Sequence, residues 1–269
     1  MTPSITRDGE TGFIETSEQR VRYRVRGDGP PLLMIHGIGA PLELWRPLES
    51  KLGDFQTITV DPPGSGHSST PPGGFGMRQF AGVMDDLLTH LGLDSASVLG
   101  VSLGGMMAQE LAFRSPDRVE KLVLASTSPD LTLDPMALAV IATRARYFSG
   151  RLRKLVTPIA YDEEIDQKSS LLRLQWELRG QYTPSVRGYL VQLRAAWAWS
   201  SRSWLGQLEM PVLAISGSDD PVVPVSHSRV IASTVRDGRL EVIPGGGHLC
   251  LFKESVRTSQ LIRDFLRDV

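Results

Sequence analysis

Gly100-Val101-Ser102-Leu103-Gly104 is the stretch on which the interpretation of the whole chain depends. It fits the pattern G-x-S-x-G, directly after an apolar run at 97–101 and directly before a helical pattern at 103–115. In a strand-to-helix turn of this kind the serine backbone is strained and its hydroxyl points off the sheet. Gly100 and Gly104 must be small, because strand and helix approach closely. We therefore predict that Ser102 is a nucleophile.

Strand-like and helix-like segments alternate on both sides of this turn. Most of the short runs are apolar at consecutive positions, which is typical of parallel strands buried on both faces. Helical spacing marks 77–91, 103–115 and 255–266, and strands are predicted at 31–37, 55–60, 97–101, 121–126, 211–216 and 240–243, after an antiparallel pair at 12–17 and 21–29. The alternation predicts an α/β fold, with a mostly parallel sheet of about eight strands and helices on both faces.

Residues 130–205 interrupt the alternation, because they contain helix-like stretches and no strand signal. We expect a helical lid, or cap, over the carboxyl edge of the sheet, where ligands of open α/β folds bind. The core is then 1–129 and 206–269; the alternative is a set of helices packed at the side. The lid tryptophans are expected either to form an acyl pocket above Ser102 or to be buried in the lid's own core: Trp176, Trp197, Trp199 and Trp204.

A serine hydroxyl needs a base that is itself held in place. His248 follows three glycines directly after the predicted strand at 240–243, and this loop position allows its imidazole to reach back over the sheet edge. The other four histidines fit less well, since they lie in a glycine loop, at a helix end or in polar segments. We predict that His248 is the general base.

Five motifs in this order resemble the α/β-hydrolase superfamily, and the resemblance extends from about Tyr23 to the C-terminus. They are HGIG (36–39), DPPGSGHSS (61–69), GVSLGG (100–105), GSDDPVVP (217–224) and GGGH (245–248). The chain order of that superfamily, serine then acid then histidine, places the orienting acid in GSDDPVVP. Asp220 is the expected acid, because it lies three residues after Gly217 as in the recurring G-x-x-D-x-[IV]-V-P pattern. Asp219 is the second choice, and Asp130 or Asp134 after the preceding strand is disfavoured by the intact motif.

The same resemblance implies the groups that bind a developing oxyanion. One donor is the backbone N–H of Leu103, the residue after the nucleophile, and the other is the Ile38 N–H in the H-G-x-G turn. His36 is expected to hold that turn by hydrogen bonding, without titrating in catalysis. The loop at 61–68 corresponds to D-x-x-G-x-G-x-S and is expected to brace the oxyanion loop.

Within the superfamily, the sequence is most similar to intracellular polyhydroxyalkanoate depolymerases of the medium-chain-length type. The similarity is carried by 38–48, 107–127 and the part from 204 to 252, whereas His36 and Leu103 depart from the Asn and Trp usual in that family. The resemblance implies hydrolysis of medium-chain acyl esters, small or polymeric, through an acyl-enzyme and without a cofactor. Four alternatives remain: hydrolysis of a dienoate C–C bond, lactone opening, cofactor-free perhydrolysis, and a ligand receptor with slow turnover. Haloalkane dehalogenases and related epoxide hydrolases are disfavoured, because they need Asp in place of Ser102.

Composition excludes several other classes. Lys+Arg total 29 against 30 Asp+Glu, and a net charge of −1 gives no field that attracts nucleic acid or an anionic membrane. No apolar run is long enough to span a bilayer, and the first twenty residues lack the apolar segment of a signal peptide, so we expect a soluble, cytoplasmic protein. The single cysteine, Cys250, excludes an internal disulfide and is expected in the core or pocket. Histidine spacing gives no metal-binding pattern, so no metal is expected.

Overall fold

A single mixed sheet organises the computed structural model, which describes residues 9–16, 19–131 and 185–268. Its eight strands, in the described residues, are β1 Glu10–Glu15, β2 Arg20–Arg26, β3 Pro31–Ile35, β4 Gln56–Val60, β5 Ala96–Val101, β6 Val119–Ala125, β7 Val212–Gly217 and β8 Gly238–Ile243. They lie in the order β1-β2-β4-β3-β5-β6-β7-β8, and all neighbours are parallel except β1 with β2 and β2 with β4. The predicted α/β class and the antiparallel start of the sheet are confirmed.

Helices cover both faces of this sheet. They are α1 Arg46–Glu49, α2 Met77–His90, α3 Leu103–Arg114, α4 Val186–Trp197, α5 Val225–Thr234, α6 Cys250–Lys253 and α7 Ser255–Arg267. Buried side chains of α2, α3 and α5 join one apolar cluster, and those of α1, α6 and α7 join a second cluster across the sheet. Within the described ranges, no helix combines the length and apolar composition needed to cross a membrane.

Strand β5 places Ser102 at the middle of the sheet edge. All six residues of β5 are buried, and it pairs in parallel with β3 on one side and β6 on the other. Because the carboxyl ends of parallel strands meet at one edge, the loops that follow β3, β5, β7 and β8 lie side by side there. These are the loops in which the sequence places the oxyanion donors, the nucleophile, the acid and the base.

Helix α4 lies over the loop that follows β4. The two backbones touch at Gly64, where an added Cβ atom would lie 2.9 Å from the Cα of Gly188. Thr70 Oγ1 and Ser185 Oγ are 2.8 Å apart, and the Arg194 guanidinium donates to the Gly73 carbonyl at 2.8 Å. The last part of the expected lid therefore sits at the carboxyl edge of the sheet, whereas 132–184 lies outside the described residues.

The positions of two tryptophans in this segment differ from those expected for an acyl pocket above Ser102. Trp199 Nε1 donates to Glu110 Oε2 at 2.8 Å, and Trp204 stacks on Phe113 with ring centroids 4.3 Å apart. Both partners lie two to three turns along α3 from Ser102, roughly 12–17 Å along the helix axis. Trp197 is 56% exposed. Trp199 and Trp204 anchor the segment to α3, so the pocket expectation is wrong for these two. It stays a prediction for Trp197, and Trp176 lies outside the described residues.

Candidate active site

The turn at Ser102 has the strained geometry that the sequence predicts. Ser102 has φ 54° and ψ −121°, a conformation that L-residues rarely adopt and that is held by its surroundings. A Cβ on Gly100 would lie 2.5 Å from the Gly104 carbonyl oxygen, and one on Gly104 would overlap the Ile35 carbonyl oxygen. The need for two small residues is thus confirmed, although Gly104 is constrained by β3 and not by β5. Thr127 Oγ1 donates to the Ser102 carbonyl at 2.6 Å and fixes the turn further.

The structure brings His248 and Asp220 to this serine. His248 Nε2 lies 3.3 Å from Ser102 Oγ, and His248 Nδ1 lies 2.9 Å from Asp220 Oδ2. His248 and Asp220 are buried, with 8% and 5% exposure, while Ser102 is half-buried and accessible. Two other histidines have hydrogen bonds elsewhere: His90 Nε2 lies 3.2 Å from Tyr23 Oη, and His36 Nδ1 accepts the Gly37 N–H.

Asp220 and Asp219 have different surroundings. The second oxygen of Asp220, Oδ1, accepts the backbone N–H groups of Val222 and Val223 at 2.8 and 2.9 Å, which fixes the carboxylate plane. Asp219 is exposed and accepts only the Ser218 hydroxyl, at 2.6 Å, among the described side chains. Asp130 forms an ion pair with Arg202 instead of approaching His248, and Asp134 lies outside the described residues.

Two glycines let the acid loop and the histidine loop pack against each other. A Cβ on Gly217 would overlap the Gly246 carbonyl oxygen, and a Cβ on Gly246 would lie 2.8 Å from the Cβ of Cys250. The Asp219 N–H donates to that Gly246 carbonyl at 2.9 Å, and the Gly245 N–H donates to Ser218 Oγ at 2.8 Å. This backbone contact sets the distance between Asp220 and His248 before either side chain is placed.

The loop that follows β3 lies against the nucleophile. A Cβ on Gly37 would lie 3.2 Å from the Cβ of Ser102 and 3.7 Å from its Oγ. The Leu103 N–H, at the first position of α3, has no acceptor within its own helix. The His36 ring accepts the Gly37 N–H through Nδ1 at 2.7 Å and stacks on Phe252, so it holds the loop as the sequence suggested.

Comparison with known proteins places this architecture in a family. The family model described as "alpha/beta hydrolase fold" matches residues 30–255 of this chain. The chain belongs to the α/β-hydrolase family. It is 33% identical to a poly(3-hydroxyalkanoate) depolymerase from Ectopseudomonas oleovorans, over 94% of this chain and 91% of that protein.

Solved structures agree on the fold of this α/β hydrolase. A hydrolase from Pseudomonas aeruginosa PA01 is 27% identical, with a TM-score of 0.80 over 96% of this chain and 98% of the other. A thermophilic esterase from Thermogutta terrifontis is 24% identical, with a TM-score of 0.81 over 96% and 98% of the two chains. The protein therefore has the α/β-hydrolase fold, which both of these solved structures share.

In this α/β hydrolase, Asp61 braces the loop that follows β3. Its Oδ1 accepts the Leu42 N–H at 2.6 Å, and its Oδ2 accepts the His67 N–H at 2.9 Å and Arg22 Nη1 at 3.2 Å. Arg22 also pairs with buried Glu43. Burial raises the pKa of the Asp61 carboxyl to about 6, against the lowering effect of these donors. The predicted bracing role of 61–68 is supported by these contacts, whereas Arg22 was not predicted.

The raised pKa of Asp61 gives a pH dependence of stability. The folded carboxyl binds its proton more tightly than the unfolded one, so its contribution to folding is complete below about pH 4 and is lost as pH rises through about 6. We expect the free energy of unfolding of the wild type, minus that of Asp61→Asn, to fall by about 3 kcal/mol at most between pH 4 and 7. Urea denaturation across this range measures the difference. Asp117→Asn, at an exposed position, is the control, and a difference that stays flat or grows with pH contradicts the expectation.

Cys250 lies two residues after His248 but is not arranged as a nucleophile. It is buried, and its sulfur has a weak contact of 3.8 Å with Ser126 Oγ. Burial raises the pKa of the thiol to about 11, which keeps it protonated at neutral pH. Its packing in the second apolar cluster agrees with the predicted core position.

Proposed function

We propose that this hydrolase is a serine esterase in which Ser102, His248 and Asp220 form the catalytic triad. The observation that carries the proposal is the continuous contact from Asp220 Oδ2 to His248 Nδ1, and from His248 Nε2 to Ser102 Oγ, at 2.9 and 3.3 Å. The longer of the two distances is compatible with a free enzyme, in which catalytic hydrogen bonds are often long and tighten in the substrate complex.

In the proposed reaction each residue has one step of ester hydrolysis. His248 Nε2 removes the Ser102 proton as Oγ attacks the ester carbonyl, and Asp220 stabilises the imidazolium that forms. The backbone N–H groups of Leu103 and Ile38 donate to the oxyanion of the tetrahedral intermediate. His248 then returns the proton to the leaving alcohol, and a water molecule, deprotonated by the same imidazole, hydrolyses the acyl-enzyme. The sequence of steps requires no cofactor.

For the substrate, we propose medium-chain acyl esters, including 3-hydroxyacyl esters and related polyesters. The support is the 33% identity to the poly(3-hydroxyalkanoate) depolymerase of Ectopseudomonas oleovorans over nearly the whole chain. We also propose that 130–205 forms a cap over Ser102, with 1–129 and 206–269 as the hydrolase core. The position of α4 beside the loops after β3 and β4 supports this division.

A series of p-nitrophenyl esters tests the acyl preference. Each methylene that is buried on binding contributes about 0.8 kcal/mol, or roughly fourfold in kcat/KM. We therefore expect kcat/KM to rise from acetyl to about C6–C10 esters. An emulsified medium-chain polyester and a lactone are assayed beside the series. A steady fall from acetyl upwards contradicts the medium-chain assignment and indicates a short-chain esterase or perhydrolase.

A further inference from the structure

Gln192 joins three parts of the molecule through one side-chain amide. It lies on α4 and is completely buried. Its Oε1 accepts the Gly39 N–H at 2.9 Å, and its Nε2 donates to the Pro63 carbonyl at 2.8 Å and to Ser65 Oγ at 2.9 Å. One amide therefore ties α4 to the loop after β3 and to the loop after β4.

The bond to Gly39 acts on the turn that carries the proposed oxyanion donor. Gly39 has φ +62°, a conformation that depends on its surroundings to be fixed in one orientation. The Ala40 N–H donates to the Gly37 carbonyl at 3.2 Å, and that carbonyl shares a planar peptide with the Ile38 N–H. Gln192 fixes the next peptide, between Ile38 and Gly39. The two hydrogen bonds together set the orientation of the Ile38 N–H, which directly follows the Gly37 position that lies against Ser102.

Other contacts hold α4 in place without Gln192. Gly188 packs directly on Gly64, and Ser185 and Arg194 make hydrogen bonds at the two ends of the helix. Loss of the Gln192 amide therefore removes the acceptor for Gly39 while the helix keeps its remaining contacts. A glutamine is also well suited to this place, because its amide carries an acceptor and donors at one end.

We propose that Gln192 is a positioning residue for the oxyanion hole, and that it couples the cap helix to the loop that carries Ile38. The inference rests on the proposed esterase function. Gln192 itself does not touch the reacting atoms; it acts through the Gly39 peptide. A misplacement of about 1 Å at a reacting centre can lower the rate by up to 10²-fold. We therefore expect the loss of the Gln192 amide to lower kcat more than it raises KM.

The test compares Gln192→Met with Arg194→Ala. Gln192→Met keeps the length of the side chain and removes its polar atoms, whereas Arg194→Ala removes a different contact of the same helix with the loop at Gly73. Two rates are measured: phosphonylation of Ser102 by a fluorophosphonate, and kcat for p-nitrophenyl hexanoate per titrated active site. For Gln192→Met we expect both rates to fall about 10- to 100-fold with KM nearly unchanged, and for Arg194→Ala we expect both to stay within about twofold.

Gln192→Glu distinguishes positioning of the Gly39 peptide from a general loss of contact between α4 and the two loops. It keeps an oxygen acceptor for the Gly39 N–H, and because burial favours the protonated carboxyl, its O–H can still donate to the Pro63 carbonyl while the donor to Ser65 is lost. It is therefore expected to stay within roughly tenfold of the wild type. If Gln192→Met lacks a cooperative unfolding transition, this variant decides alone, and a larger loss overturns the inference. The inference also fails if Gln192→Met is phosphonylated at the wild-type rate, or if the rates of Arg194→Ala fall as far as those of Gln192→Met. A wild type that hydrolyses no ester overturns the proposed function, whereas the phosphonylation rates still decide the role of Gln192.

Discussion

Ester hydrolysis by Ser102→Ala is expected to fall on the order of 10⁶-fold. Without Oγ, His248 has no hydroxyl to deprotonate, and no acyl-enzyme can form. The fold should persist, because the turn is held by backbone and side-chain contacts that alanine keeps: the Ser102 N–H donates to the Ala125 carbonyl at 3.0 Å, and the Ser102 carbonyl accepts Thr127 Oγ1. Any residual rate comes from binding and oxyanion stabilisation alone.

Labelling with a fluorophosphonate, read out by intact mass, checks this expectation without reference to a particular ester. Ser126→Ala is a matched control, since Ser126 also has positive φ and directly follows the neighbouring strand β6, but it is buried. The wild type and Ser126→Ala should gain one phosphonyl group, and Ser102→Ala should gain none. Labelling that persists in Ser102→Ala, or disappears in Ser126→Ala, contradicts the assignment of Ser102.

Much of the fold was predictable because its strands and crossover helices have strong local signals. Helices α2, α3 and α7 begin where the apolar spacing places them, since buried faces repeat at helical intervals. Helix α5 was not predicted, because its sequence VSHSRVIAST is rich in β-branched residues and serine, which are weak helix formers. The sheet topology could have predicted this helix, because the parallel strands β7 and β8 need a crossover connection, which is usually a helix.

The chemistry of the site was predictable where a motif fixes the backbone, and not where distant polar groups meet. The glycine patterns assigned Ser102, Asp220 and His248 to three loops whose side chains are in contact in the structure. By contrast, Arg22 and Arg24 look like ordinary exposed strand residues in VRYRVR, yet both are buried against Glu43, Asp61 and Glu49. Gln192 belongs to no motif, and its importance depends on Gly39, which is 153 positions away in sequence. Such contacts depend on how separate elements pack.

Asp220→Asn is expected to lower kcat by about 10⁴-fold, whereas Asp219→Asn should keep most of the rate. In the wild type, Asp220 Oδ2 accepts a hydrogen bond from His248 Nδ1–H, which leaves Nε2 free to accept one from Ser102 Oγ. The Val222 and Val223 N–H groups hold the oxygen of an asparagine at the Oδ1 position, so its NH₂ group faces Nδ1. The imidazole then carries its proton on Nε2 and cannot act as a base toward Ser102.

Asp219→Asn is the matched control, because it makes the same chemical change on the adjacent residue. Asp219 is exposed, and the bond from its backbone N–H to the Gly246 carbonyl is independent of the side chain. Steady-state kinetics with p-nitrophenyl hexanoate, combined with thermal unfolding of both variants, separates loss of catalysis from loss of structure. Reversed results, with Asp219→Asn inactive and Asp220→Asn active, are incompatible with a buried Asp220 that contacts His248, and they would make Asp219 the acid of the triad.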